Sequence, residues 1–130
     1  MTQTNTNFIN TFGFIRDNSK EGRTLEHVKV GKIYVSRLVI QSGQITGNYY
    51  HKKTSSLIMV EAGKVQMKYV QVNTKEEKEI ILTPSGGLIN VPPYVAFSRR
   101  NIGTGPAVVI IFSDAPIREG DDFEFEVYKD

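Results

Sequence analysis

Glycine and proline recur along this chain at intervals of roughly one strand length, and this spacing restricts its fold more than any other feature. They stand at Gly13, Gly22, Gly31, Gly43, Gly47, Gly63, Gly86–Gly87, Pro92–Pro93, Gly103 and Gly105–Pro106. The stretches between them are rich in Val, Ile, Tyr and Phe, which are favoured in strands, and few are long enough for a helix. The pattern predicts an all-β protein, either a sandwich, a barrel or a jelly roll.

Eight of these stretches are predicted to form strands. They are Lys32–Ile40, Leu57–Val60, Lys64–Val72, Glu79–Leu82, Leu88–Val91, Val95–Arg99, Ala107–Ser113 and Phe123–Tyr128. The charged run Asn73–Glu79 is interpreted as the exposed tip of a hairpin rather than as a surface for a partner. Pro92–Pro93 cannot lie inside a central strand, because proline lacks the amide hydrogen, and therefore marks a turn.

Length and composition indicate one domain. A chain of 130 residues and 14.6 kDa has the commonest domain size. Its content of 39% hydrophobic and 23% charged residues is that of a folded protein. Residues 1–7 are dominated by Thr, Asn and Gln and are expected to form a loose tail. We therefore expect the fold to start near Phe8, with a single domain over residues 8–130.

Charge and hydropathy exclude several classes of partner. The formal net charge is +2, with basic residues dispersed among 14 acidic ones, so no nucleic acid is expected. The longest apolar run, Ala107–Phe112, is too short to span a bilayer, so no membrane is expected. The N-terminus has neither the basic start nor the apolar run of a secretory signal, and the chain has no cysteine. Both observations favour a cytoplasmic protein.

Two sets of spaced residues resemble the motifs of the cupin family. The first motif, a His-x-His pair and a glutamate between two glycines, is matched in spacing by Gly43, Tyr49, His51, Ser56 and Gly63. The second, which ends in histidine and asparagine, is matched by Gly86, Pro92, Tyr94, Phe97 and Asn101. The resemblance implies a cupin-type double-stranded β-helix, a jelly roll barrel that is usually dimeric and holds its ligand inside.

Three stretches look like cupins that act on nucleotide sugars. They are "GNYYHKKT", "INVPPYVAF" and "NIGTGPAVVIIFSDAPI". The similar proteins are the C-terminal cupin domain of capsular polysaccharide reductases, the nucleotide-sugar 3,4-ketoisomerases and, more distantly, the 3,5-epimerases. This resemblance implies a small-molecule ligand, either a nucleotide sugar or another carbohydrate.

The residues at the metal positions of the cupin motifs predict that no metal or other cofactor is bound. Divalent ions in cupins need three or four imidazole and carboxylate ligands that converge on one point. Tyr49, Ser56 and Phe97 stand where the family has ligands, which leaves only His51. His27, the other histidine, precedes the first motif and is interpreted as a partly exposed strand residue.

Strand alternation predicts how the remaining side chains meet. Residues two apart in a strand point to the same side, so Gly47, Tyr49 and His51 are expected to share one face. Phe97 and Arg99 are expected to share a face on the opposite strand. One pocket can therefore gather Tyr49, His51, Phe97 and Arg99.

The first functional hypothesis is an enzyme of the ketoisomerase or epimerase type, which moves a proton next to a ketone without a metal. His51 is the candidate base, because an imidazole can accept and donate a proton near neutral pH. Tyr49 is the candidate proton donor, or the hydrogen-bond partner of the enolate oxygen. Phe97 is expected to stack on the nucleotide base of the ligand. Arg99 is the preferred ligand for the diphosphate, ahead of Arg37 and Lys53.

Departures from the resembling enzymes support a second hypothesis. The ketoisomerases have histidine at both positions of the pair, and the epimerases have their base where Tyr49 stands here. A non-catalytic module that binds a carbohydrate or another small ligand in an aromatic pocket also fits these residues. A metal-dependent dioxygenase or isomerase is disfavoured by the missing ligands.

The end of the sequence bears on self-association. Phe123, Phe125 and Val127 alternate with Glu124, Glu126 and Tyr128, as in a half-buried closing strand. In the resembling families such a segment lies near the dimer seam. We therefore expect a homodimer.

Overall fold

The computed structural model describes residues 3–5, 8–115 and 120–128, and all elements in these ranges are strands. None of them is a helix that is long and apolar enough to cross a membrane. The strands are β1 (Gln3–Asn5), β2 (Asn10–Phe12), β3 (Ile15–Asp17), β4 (Arg23–Val30), β5 (Ile33–Ile40), β6 (Ile45–Tyr50), β7 (Ser56–Ala62), β8 (Val65–Gln71), β9 (Glu77–Leu82), β10 (Ile89–Val91), β11 (Val95–Asn101), β12 (Ala107–Ser113) and β13 (Phe123–Glu124).

Two antiparallel sheets pack against each other around one hydrophobic core. The six-stranded sheet has the order β10-β7-β12-β5-β4-β3, and the five-stranded sheet has the order β13-β6-β11-β8-β9. Leu25, Ile40, Ile58 and Met67 are among the fully buried side chains between them. β1, which lies within the expected tail, pairs with β2 as a separate ribbon. The prediction of an all-β fold is confirmed.

Strand ends differ from prediction where side chains compete for the backbone. β5 and β12 follow the predicted strands closely. β9 begins at Glu77, so the hairpin tip is shorter than the charged run. β13 ends at Glu124 rather than at Tyr128. The amides of Val127 and Tyr128 donate instead to the side-chain oxygen of Asn48, both at 2.9 Å.

Strand register places two layers of side chains on the inner face of the five-stranded sheet, because paired residues of antiparallel strands point to the same side. One layer runs across β6, β11, β8 and β9 through Tyr49, Phe97, Tyr69 and Lys78. The next layer runs across β11, β8 and β9 through Arg99, Met67 and Ile80. Phe97, Met67 and Arg99 are buried, which identifies this face as the one that lines the barrel.

A β-bulge in β6 corrects one predicted alignment. Tyr49 pairs with Phe97 and Gly47 pairs with Ser98, so Asn48 is the extra residue. Asn48 has a φ of 64° and Gly47 a φ of 108°. The prediction that Gly47 shares a face with Tyr49 and His51 is wrong, because the extra residue shifts the alternation by one position. Tyr49 and His51 remain together, and their rings are in contact.

The outer face of the six-stranded sheet is apolar over three adjacent strands. It carries Val35, Val39, Leu57, Met59, Val108, Ile110 and Phe112. At its centre Arg37 bonds Glu26 at 3.3 Å and lies 3.9 Å from Glu61. Charges of both signs within one apolar face suit pairing with a second copy, in which each patch meets its own counterpart. This face is on the opposite sheet from β13, where the sequence placed the expected seam.

We expect Ile110→Lys to convert a homodimer into a monomer, because the new charge would lie beside Arg37, its neighbour in register, at the centre of this face. Sedimentation of both proteins at micromolar concentration measures the change. Ile81→Lys is the matched control, since Ile81 is an exposed isoleucine of the other sheet. A monomeric parent protein, or dissociation by both substitutions, contradicts the expectation.

Candidate functional site

Three aromatic side chains form a cluster at the end of β6, where it pairs with its neighbour β11. The ring centroids of Tyr49 and Phe97 are 4.8 Å apart, those of Tyr49 and His51 are 5.4 Å apart, and those of His51 and Phe97 are 5.6 Å apart. These separations are typical of edge-to-face and tilted ring packing. His51 is buried, with 4% of its surface exposed. The cluster therefore combines an imidazole and a phenol with the apolar ring of Phe97.

Arg99 lies directly against this cluster. The guanidinium carbon is 4.5 Å from the centroid of Phe97, and the residue is 2% exposed. Among the described residues no carboxylate lies within ion-pair distance of Arg99, and its Nε atom has no hydrogen-bond partner. A buried cation without an opposite charge is costly. The site therefore contains a positive charge that the described side chains do not neutralise.

Tyr69 is partly buried and lies next to Arg99. Burial raises the pKa of Tyr69, while the charge and hydrogen bond of the Arg99 guanidinium act in the opposite direction. The Tyr69 hydroxyl also lies 3.2 Å from the sulfur of Met67. Tyr69 is therefore neutral at physiological pH and can supply a hydroxyl group on the inner face of the barrel.

His51 is held by the segment of residues 120–128, which we call the C-terminal segment. Its Nδ1 atom lies 2.7 Å from the carbonyl oxygen of Asp121 and 3.2 Å from Oδ1 of Asp122. Burial lowers the pKa of His51, but the hydrogen bonds and charges of Asp122 and Asp121 outweigh it, and the net pKa is raised. With Nδ1 donating to these oxygens, Nε2 is the ring nitrogen that remains to accept a proton.

We expect Asp122→Asn to lower the pKa of His51, because it removes the charge that favours the imidazolium ion. A folded-state pKa above the unfolded value stabilises the protein below about pH 6.5 and loses this effect as the pH rises through the folded pKa. The variant should therefore lose stability mainly below about pH 6.5, where the parent protein has the full effect. Ring-proton NMR titration in a His27→Gln background isolates the His51 signal, and an unchanged pKa in Asp122→Asn contradicts the expectation.

Asp121 fastens the C-terminal segment to the loop after β6. Its carboxylate accepts hydrogen bonds from the amides of Lys52, Lys53 and Thr54 and from the Thr54 hydroxyl, at 2.8–3.1 Å. Burial alone would raise the pKa of Asp121, but these bonds hold it at about 2. The sequence interpretation missed both Asp121 and Asp122. Two adjacent aspartates directly after Gly120, before an alternating segment, were the available signal.

The structure brings together four of the six predicted site residues. Tyr49, His51, Phe97 and Arg99 form one group. Arg37 lies on the outer face of the six-stranded sheet, in contact with Glu26 and Glu61. Lys53 is exposed in the loop after β6, where its amide bonds Asp121. Neither Arg37 nor Lys53 is brought to the group inside the barrel.

The donor set inside the barrel does not fit a metal ion. Within the described ranges there is no group of three His, Cys, Asp or Glu side chains placed to hold one. At the motif positions, Tyr49 and Phe97 pack their rings against His51. The Nδ1 atom of His51 is already bonded by Asp121. No step through a metal is therefore derived for this chain.

Comparison with solved structures identifies relatives in fold. Neither a protein-family model nor a curated protein sequence matches the chain. CapF, the capsular polysaccharide assembling protein of Staphylococcus aureus, matches with a TM-score of 0.78 and 18% identity, over 90% of this chain and 35% of CapF. CapF with the inhibitor 3-isopropenyl-tropolone matches with a TM-score of 0.78 and 19% identity, over 90% and 36%. The chain thus spans about a third of the length of CapF.

Two further matches belong to proteins with other roles. Oxalate oxidase in complex with the substrate analogue glycolate has a TM-score of 0.66 and 11% identity, over 75% of this chain and 53% of its own. Drosophila melanogaster CENP-C bound to CAL1 has a TM-score of 0.63 and 15% identity, over 75% and 74%. These similarities confirm the cupin-type jelly roll. Because the roles differ, the fold does not by itself assign a function.

Proposed function

We propose that this cupin-fold chain binds a nucleotide sugar of surface polysaccharide synthesis inside its barrel and acts on it as a metal-free ketoisomerase or epimerase. The observation that carries the proposal is Arg99, a buried guanidinium for which no described carboxylate is a partner. An anionic ligand would supply the missing charge. The fold shared with CapF, a capsular polysaccharide assembling protein, supports the choice of ligand class.

Arginine is suited to the diphosphate of such a ligand. Its planar guanidinium can donate two parallel hydrogen bonds to phosphate oxygens, which a lysine cannot do. The Nε donor of Arg99 is buried and has no partner in the described structure. Among the described residues, Ser36 Oγ is the other buried side-chain atom without a hydrogen-bond partner. Ser36, Leu38 and Ile40 are two residues apart on β5 and are all buried, so they share the inner face. The Ser36 hydroxyl therefore faces the barrel interior from the six-stranded sheet.

The reaction would use His51 and Tyr49 on the sugar. His51 Nε2 takes a proton from the carbon next to the ketone, and the electron pair moves to the ketone oxygen to form an enolate. The Tyr49 hydroxyl donates a hydrogen bond to that oxygen. For a ketoisomerase, the imidazolium gives its proton to the former ketone carbon, while the hydroxyl proton of the neighbouring carbon passes to the former ketone oxygen, so that the ketone is restored at the neighbouring carbon. For an epimerase, the Tyr49 hydroxyl gives its proton to the opposite face of the deprotonated carbon, and the tyrosinate recovers a proton from the His51 imidazolium. The bonds of His51 Nδ1 to Asp121 and Asp122 fix the ring for this exchange.

A second candidate function is binding without catalysis, and the same hydrogen bonds favour it. His51 contacts Asp121 and Asp122 through Nδ1, and its carbonyl oxygen accepts the amide hydrogen of Tyr94 at 2.7 Å. These contacts are also what a histidine would make if its role were purely structural, namely to anchor the C-terminal segment. In that case the barrel would retain Arg99 and the aromatic rings as a carbohydrate-binding pocket.

Deuterium exchange from solvent separates these functions. The full chain is incubated in D2O with a panel of thymidine and uridine diphosphate 4-keto sugars, and incorporation next to the ketone is followed by NMR. We expect exchange by the parent protein and by His27→Gln, and a decrease of about 10²–10⁴-fold for His51→Gln, the usual contribution of a positioned base.

Binding by calorimetry is measured on the same panel. Exchange that His51→Gln leaves unchanged contradicts the role of His51. Binding without exchange favours the non-catalytic module. No binding by any nucleotide sugar, with or without added divalent metal, overturns the proposed ligand class.

A further inference from the structure

Two cavities flank the inner face of the five-stranded sheet, and they differ in charge. The first, of about 480 Å³, borders Tyr49 and is lined by Asp122, Glu124 and Glu126 together with Lys20. The second, of about 420 Å³, lies between the edge strands β9 and β10. Three carboxylates at the first opening oppose the passage of an anion. An anionic ligand would therefore enter more easily through the second opening.

The second cavity, which we call the β9–β10 groove, is apolar with one cation at its rim. Its lining includes Tyr69, Lys78, Ile80, Leu88, Ile89 and Val95. Leu88 is 59% exposed, an unusual position for a leucine beside an apolar cavity. A flat or apolar group placed here would cover Leu88 and the side chains below it. The groove therefore has the chemistry of a site for a ring rather than for a free sugar.

The groove adjoins the interior charge through one side chain. Tyr69 lines the groove and interacts with the Arg99 guanidinium. Lys78 pairs with Tyr69 in register and therefore points to the same side of the sheet. Among the described residues Lys78 has no ion pair, whereas Lys68, on the outer side, is paired with Glu77. Glu76 and Glu77 border the adjoining part of the opening, next to the hairpin tip.

The strand order sets the sequence of subsites. From the edge inward the strands are β9, β8, β11 and β6, which carry Lys78, Tyr69, Phe97 and Tyr49 in one layer. Arg99 lies in the next layer, two residues from Phe97 on β11. Three interstrand spacings of about 4.8 Å separate the outer pair of strands, or about 14 Å in all. An extended nucleotide sugar placed across the strands would pass from the apolar groove to the aromatic cluster, with the Arg99 guanidinium beside this path at Phe97.

We propose that the β9–β10 groove binds the base of a nucleoside diphosphate, with Lys78 at its rim and the phosphates directed inward to Arg99. This inference rests on the proposed function, because it assumes that Arg99 holds the acidic group of the same ligand. It adds the entrance, the orientation and the subsite for the base. The sugar then lies beside Tyr49 and His51, and the base lies in the groove instead of on Phe97, where the sequence predicted it.

Binding of UDP, uridine and inorganic diphosphate to the full chain tests the proposal. Isothermal calorimetry gives affinities, and methyl NMR reports on Leu88, Ile89 and Val95. We expect UDP and uridine to shift these methyl signals and diphosphate to leave them unchanged. Leu88→Ser should weaken UDP binding about tenfold through lost apolar contact, whereas Ile81→Ser, an exposed isoleucine on the outer side of β9, should not.

The outcomes separate this inference from the proposed function. If Arg99→Met abolishes UDP binding while Leu88→Ser and Lys78→Gln bind UDP like the parent, the groove assignment is overturned and the proposed function stands. If UDP binds and shifts methyl signals elsewhere in the chain but not those of the groove, the same conclusion holds. If neither UDP nor diphosphate binds, both fail together.

Discussion

Replacing Arg99 by methionine is expected to raise the free energy of unfolding by about 1–2 kcal/mol and to weaken the binding of anionic ligands strongly. Removing a guanidinium from water costs several kcal/mol, and even a buried ion pair can often be replaced by apolar residues of similar volume with a gain of about 1–4 kcal/mol. The contact with Phe97, worth about 2 kcal/mol or more when desolvated, and the bond to Tyr69 would be lost. The balance therefore favours methionine, but by less than the full desolvation cost.

The same substitution should weaken binding of a nucleotide sugar by about 30-fold or more, because the loss of one partner of a buried charge pair typically costs about 2–5 kcal/mol. Arg100→Met is the matched control, since Arg100 is the next residue, points to the other side and lies 4.8 Å from the ring of Tyr128. Denaturant unfolding and calorimetry give both quantities. A destabilised Arg99→Met protein that still binds the ligand would show that Arg99 serves the fold instead.

Gly47→Ala is expected to destabilise the protein by about 3 kcal/mol or more. A Cβ atom at Gly47 would lie 2.6 Å from the carbonyl oxygen of Phe97 and 2.9 Å from the Cα atom of Ser98. Both are backbone atoms of a central strand and cannot move without disturbing the sheet. A φ of 108° adds strain of about 1–3 kcal/mol for a residue with a side chain. The bulge would have to rearrange, and with it the placement of Tyr49.

Gly31→Ala separates the two causes of this loss. Gly31 also has a positive φ, at 63°, but a Cβ atom there would meet nothing within 4 Å. We expect it to cost about 1 kcal/mol, the conformational part alone. Denaturant unfolding of both variants measures the difference. Equal losses would show that the close approach to Phe97 is not what requires glycine at position 47.

The fold was predictable because its signals are local. Glycine and proline set the strand ends, and β-branched residues set the strands, so β5 and β12 follow from the sequence alone. The sequence also predicted that Tyr49 and Phe97 meet in one group, and their ring centroids are 4.8 Å apart. The bulge at Asn48 did not follow, because alternation assumes one residue per position and has no term for an insertion.

The chemistry around His51 was only half predictable. The sequence identified the imidazole and the absence of family metal ligands beside it. It did not identify Asp121 and Asp122, because their contact with His51 depends on where a segment far along the chain returns to β6. Arg37 was indistinguishable from Arg99 by residue type. Only the register with Ile110 and Glu26 places it on the outer face.

The hydrogen bonds between Asp121 and the loop after β6 also determine when the site can form during synthesis. Thr54 and Asp121 are 67 residues apart in sequence, and His51 is 70 residues from its carbonyl partner. A growing chain emerges from the ribosome in order, so β6 must wait through the synthesis of most of both sheets before these oxygens arrive. During that interval His51 has neither its acceptor nor its nearby charge.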